Sequence, residues 1–122
     1  MIAGIDHVQL AAPAGCEAAA RHFFGGLLAL EEIAKPRLLA GRGGCWFRAG
    51  AHELHIGVAE PFVRAAKAHP AFRLASEDDL GALAAKLEAG GVAVMWADAA
   101  EIPGTGRFHA HDPWGNRLEF VA

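Results

Sequence analysis

Tyrosine is absent from this 122-residue chain, and cysteine appears only twice, as Cys16 and Cys45. Two cysteines are too few for a disulfide scaffold, so they read as small buried residues and the chain must hold itself together by its core. A basic excess is also missing: 11 Lys and Arg stand against 14 Asp and Glu, for a net charge of -3. That balance gives no means of neutralising a phosphate backbone, which argues against nucleic acid as a partner. No apolar run approaches the ~18 residues of a membrane span, and the opening Met1-Ile2-Ala3-Gly4-Ile5-Asp6 lacks the charged start and apolar stretch of a signal peptide. The expectation is a soluble, cytoplasmic protein. What the chain does have is a 53% apolar composition, enough for one folded domain, and seven histidines.

The histidines fall into a repeat. His7-Val8-Gln9-Leu10-Ala11-Ala12 has a counterpart 62 residues later in His69-Pro70-Ala71-Phe72-Arg73-Leu74-Ala75. Each stretch alternates and then gives way to an Ala-rich helical segment, so the chain reads as two copies of a unit of about 60 residues. In the first copy the pattern predicts a strand over 4–11 and a helix over 15–28. Three short strands follow at about 37–40, 44–49 and 52–58, separated by Gly41, Gly43, Gly44 and Gly50. A connector covers 59–68. The second copy predicts a strand over 69–75 and a helix from an N-cap at Ser76 to about 89, with Leu80, Leu83, Ala84 and Leu87 as its apolar stripe. Strands at 92–96, 105–111 and 116–121 complete it. Each copy is therefore β-α-β-β-β, an α+β arrangement in which the helix covers one face of a four-stranded sheet. Two mixed sheets related by a pseudo-twofold repeat would then cup a central cleft with their free faces.

Strand alternation assigns residues to those free faces. His7 and Gln9 share one, with Glu53 and His55; His69, Ala71 and Arg73 share the other, with Arg117 and Glu119. His7 pairs with His69 across the repeat, and His55 pairs with Glu119 at a nearly equal offset. Imidazole and carboxylate donors without thiolate suit a borderline divalent ion (Mn, Fe, Co, Ni or Zn) in a site open to water or substrate. Glu53 is an alternative to His55 as a ligand. Three other patterns carry nothing. His52-Glu53-Leu54-His55 is one residue short of the helical zinc-protease motif, Gly41-Arg42-Gly43-Gly44 precedes no helix, and Gly104-Thr105-Gly106 lacks the phosphate-binding lysine.

Three segments together, Ile5-Asp6-His7-Val8-Gln9-Leu10, His69-Pro70-Ala71-Phe72-Arg73-Leu74 and Asp112-Pro113-Trp114-Gly115-Asn116-Arg117-Leu118-Glu119-Phe120, resemble the vicinal oxygen chelate superfamily. That superfamily spans glyoxalase I, fosfomycin and bleomycin resistance proteins, an epimerase and extradiol dioxygenases. The resemblance covers essentially the whole chain and implies a single glyoxalase-like domain, 1–122, with modules at about 1–60 and 66–122. It implies a divalent metal held by His7, His69 and Glu119, with His55 on the strand that supplies a fourth ligand in some members. It implies a small-molecule substrate chelating the metal through two oxygens, lyase, isomerase or thiol-transfer chemistry, and a homodimer. Glu119, His109 and Gln9 are the catalytic candidates, His109 because the fosfomycin resistance proteins place an oxyanion-contacting residue there. Arg73, Arg107 and Trp46 are candidates for substrate contact. The alternatives are a metal-free binding or drug-sequestering protein and, with no tyrosine to serve it, an extradiol dioxygenase. One departure concerns the first helix exit, Leu27-Leu28-Ala29-Leu30, where members commonly have Gly in place of Ala29 and a different exit is expected.

Overall fold

The computed structural model describes all residues from 1 to 122 and resolves them into two compact units, Met1–Arg64 and Ala65–Ala122. The first unit contains β1 (His7–Ala12), a helix α1 (Glu17–Ala20) that runs on as a π-helix (Arg21–Leu27), β2 (Glu31–Ile33), a 3-10 turn (Arg37–Arg42), β3 (Cys45–Ala49) and β4 (His52–Val58). The second contains β5 (Ala71–Arg73), α2 (Glu77–Ala89), β6 (Met95–Trp96), β7 (Arg107–His111) and β8 (Arg117–Val121). The sheets have the same topology, β1-β4-β3-β2 and β5-β8-β7-β6, each with its first and last strands parallel and the rest antiparallel. The β-α-β-β-β reading of each unit is what the chain builds.

Alternation decides which side of each sheet is core. In the first unit Leu10, Phe47, Leu54 and Ile56 are buried with Phe23 and Phe24 of the helix. In the second, Phe108, Ala110, Leu118 and Phe120 meet Leu80, Ala84 and Leu87 of α2. Phe120 stacks between Phe72 and Phe108, with centroids 5.5 and 4.8 Å away. Cys16 and Cys45 are free and buried, as expected of small core residues. Ser76 caps α2, its Oγ accepting from the Asp79 amide at 3.1 Å.

Several boundaries differ from the sequence expectation. The strand expected at 37–40 is the 3-10 turn, and the strand pairing with β3 is instead β2 at Glu31–Ile33. Pro36 is extended and Gly43 left-handed (φ 76°), so the segment between them coils and cannot lie along the sheet. The strand expected at 69–75 has a ladder only from Ala71, because Pro70 has no N–H to contribute, although its carbonyl still accepts from Glu119 at 3.0 Å. The strand expected at 92–96 shortens to β6 because the Val92 amide is used by the Leu87 carbonyl at the end of α2. The first helix widens where two adjacent phenylalanines, Phe23 and Phe24, both enter the core; the Leu28 amide reaches back five residues to the Phe23 carbonyl.

Two backbone positions show what this chain tolerates. Gly44 has φ +81°, and a Cβ there would lie 1.9 Å from the Ile56 carbonyl oxygen, so β3 can approach β4 only with glycine at its start. Ala29 is the opposite case: it is the one non-glycine residue with positive φ (55°), so the first helix keeps a left-handed exit without the glycine that suits it. Ala29→Gly is therefore expected to stabilise the protein by about 0.5–1 kcal/mol, read as a higher urea midpoint at unchanged slope.

Candidate metal centre

The free face of the second sheet carries a group of three possible metal donors, His69, His109 and Glu119. His109 and Glu119 are direct cross-strand partners on β7 and β8, which places their side chains side by side. His69 arrives from the residue pair preceding β5, the strand whose Ala71 pairs with Glu119. One nitrogen from each histidine and one Glu119 oxygen lie within 4.8 Å of one another.

Glu119 is the hub. Its Oε2 is 2.9 Å from His69 Nε2 and 3.6 Å from His109 Nε2, while its Oε1 accepts from Arg107 Nη1 at 3.0 Å. Arg107 is in turn held from behind by Glu101, so one carboxylate oxygen is fixed by an arginine and the other is left to the histidines. His69 is fixed too: its Nδ1 donates to the Lys67 carbonyl at 2.8 Å, which directs Nε2 into the cluster.

Burial tends to raise the Glu119 carboxyl, but hydrogen bonds from His69 and Arg107, with the charges of His109 and Arg107, outweigh it and hold the group below its ordinary value. His109 moves down, first because burial disfavours its charged form and then because Arg117 and its other cationic neighbours repel the proton, against the pull of Glu119. An ionised carboxylate beside an imidazole biased to its neutral form is the protonation state a divalent ion requires. The dimensions also fit. Donors 2.0–2.2 Å from a tetrahedral ion stand about 3.3 Å apart, between the 2.9 and 3.6 Å found here. The donor set is nitrogen and oxygen without sulfur, which suits Mn, Fe, Co, Ni or Zn.

The first sheet's free face holds the other expected residues. His7 and Glu53 are paired in register on β1 and β4, as are Gln9 and His55, and His55 faces Trp46 on β3. The Trp46 and His55 rings stack at 3.7 Å and 3°, and the His7 ring stacks on His55 at 4.1 Å and 17°. Glu53 Oε2 lies 2.8 Å from His55 Nε2, so the two residues weighed as alternative ligands are partners of each other. His7 Nδ1 lies 2.8 Å from Asp6 Oδ1. Gln9 lies across Gly57, where a Cβ would come within 2.7 Å of its amide.

His69 and Glu119 thus come together as the sequence suggests, and His109, expected near the chemistry, lies beside them. Arg107 is engaged by two carboxylates; Arg73 is exposed on β5. Three features were not among the sequence-derived site candidates: the Lys67 carbonyl, Glu101 as the second partner of Arg107, and Arg117 beside the cluster. Only Arg117 had a readable signal, since it alternates onto the same face as Glu119.

A family model described as Glyoxalase/Bleomycin resistance protein/Dioxygenase superfamily matches residues 4–120. The chain belongs to that superfamily. A solved structure of a protein assigned to the glyoxalase family from Bacillus anthracis is 48% identical, with 99% of this chain and 95% of that chain covered and a TM-score of 0.90. Lactoylglutathione lyase from Agrobacterium tumefaciens is 20% identical over 98% of this chain and 93% of its own, with a TM-score of 0.76. The genomically encoded fosfomycin resistance protein of Listeria monocytogenes is 19% identical over 100% and 94%, also with a TM-score of 0.76. At such identities the last two share the fold alone. No curated protein matches the sequence significantly. No helix is long and apolar enough to cross a membrane.

Proposed function

We propose that the chain is a divalent-metal-dependent enzyme of glyoxalase type, acting on a small substrate that chelates the ion through neighbouring oxygens in a lyase, isomerase or thiol-transfer reaction. The observation that carries this reading is the convergence of His69, His109 and Glu119, with Glu119 oriented by Arg107 and His69 by the Lys67 carbonyl. A bound ion supplies Lewis-acid stabilisation of the negative charge that develops on a substrate oxygen. Around it, the chain's own groups do the positioning. Arg107 keeps Glu119 from turning away, the Lys67 carbonyl keeps His69 Nε2 inward, and His109, biased to its neutral form, keeps a ring nitrogen lone pair available for a cation.

Protein purified without a His tag and reconstituted with Mn, Co, Ni or Zn is expected to retain about one ion per chain for a cation in this donor set. Retention below about 0.1 ion per chain for every one of these metals contradicts the reading. The proposal extends to His7 and His55 as metal ligands and to Gln9, Trp46 and Arg73 as substrate contacts. His7→Ala then weakens metal binding about 10-fold or more, whereas unchanged binding would remove His7 from the ligands. The proposal also includes a homodimer in the cytoplasm, checked for mass by light scattering of the purified protein.

A further inference from the structure

Two arginines flank Glu119 on the free face of the second sheet, and they differ in one respect. Arg107 is saturated, with one carboxylate on each side. Arg117, two residues before Glu119 on β8 and opposite His111 on β7, is half-buried, and no hydrogen bond or ion pair engages its guanidinium. A partly desolvated guanidinium without a counter-charge is unfavourable, and arginine's planar fork is suited to a carboxylate or phosphate. The two carboxylates nearest it along the chain are committed elsewhere. Glu119 is committed to His69 and Arg107, and Asp112 is buried within its own turn, accepting from the amides of Trp114 and Asn116 and from the Asn116 side chain. Along a strand, two residues span about 7 Å, so the guanidinium stands within a small molecule's length of the candidate metal donors.

We infer that Arg117 is an anion subsite. The substrate carries a carboxylate or phosphate that pairs with Arg117 while its vicinal oxygens reach the ion beside His69, His109 and Glu119. This rests on the metal-enzyme reading and narrows it to anionic substrates. The saturation of Arg107 makes it a positioning residue for Glu119, and Arg117, absent from the sequence-derived candidates, the group that meets the ligand.

The test uses the full chain loaded with Co(II), whose visible spectrum reports both metal binding and chelation. Two probe pairs separate the anion types: dihydroxyacetone phosphate against dihydroxyacetone, and malate against lactate, which lacks the distal carboxylate. Wild type is expected to bind the more charged member of at least one pair about 10- to 100-fold more tightly, the range of a charge-assisted pair. Arg117→Gln should bring that pair to within about 2-fold while leaving Co(II) binding and the less charged member unchanged. No preference in wild type for either pair, or equal weakening of both members in Arg117→Gln, overturns the inference. If wild type takes up no Co(II), the metal reading falls, and the subsite is decided separately with inorganic phosphate on the metal-free protein. A rise in Tm in wild type that is absent in Arg117→Gln supports it, and no rise, or equal rises, overturns it.

Discussion

Glu119→Gln is expected to lower affinity for a divalent ion by more than about 100-fold, beyond the usual effect of losing a group that only orients a ligand. The substitution preserves shape and removes charge. Gln can still accept from Arg107 at one oxygen, but its other terminus becomes an NH2 donor facing the two histidines, where a cation needs an acceptor. Metal titration by calorimetry, alongside a thermal melt of the metal-free protein, separates loss of the ligand from loss of the fold. A variant that folds and binds metal as wild type does would remove Glu119 from the site.

The second large effect is in stability. Asp112→Ala is expected to cost about 3 kcal/mol, a fall of about 12 °C in Tm for a chain of this length. Asp112 organises the β7–β8 turn: its Oδ1 accepts from the amides of Trp114 and Asn116 at 3.0 and 2.8 Å, and its Oδ2 from Asn116 Nδ2 at 2.7 Å. Burial raises its carboxyl even though these hydrogen bonds pull the other way, so its charge is costly and the accepted bonds carry its contribution. Asp112→Asn, which keeps an acceptor for both amides, should cost less than half as much. Equal costs for the two variants, or a cost under 1 kcal/mol for alanine, would contradict this account. The turn matters beyond stability because its register places His109 opposite Glu119.

Much of this was legible in the residues. Alternation separated Leu118 and Phe120 from Glu119, and Phe108 and Ala110 from His109, because a period of two leaves little ambiguity once one face is apolar. The turn between the strands expected at 105–111 and 116–121 followed from their spacing, and the Asp112 side chain that accepts from the Asn116 amide shows how it is held. Other features depend on the backbone path. The segment after Pro36 has strand-like composition but coils, and β2 at Glu31–Ile33 is too short and too polar to announce itself. The role of Arg107 could not be inferred from spacing, since Glu101 reaches it from a loop. The stack of Trp46, His55 and His7 required knowing that β4 lies between β1 and β3, a fact of topology.

The central claim is that His69, His109 and Glu119 bind a divalent ion. The most direct measurement is anomalous diffraction from a crystal of the full chain soaked in Mn, Co or Zn. The account predicts one strong peak within about 2.0–2.2 Å of Glu119 Oε2 and of both histidine nitrogens. A fully soaked crystal with the peak elsewhere, or with none and the His69–Glu119 hydrogen bond intact, would contradict it.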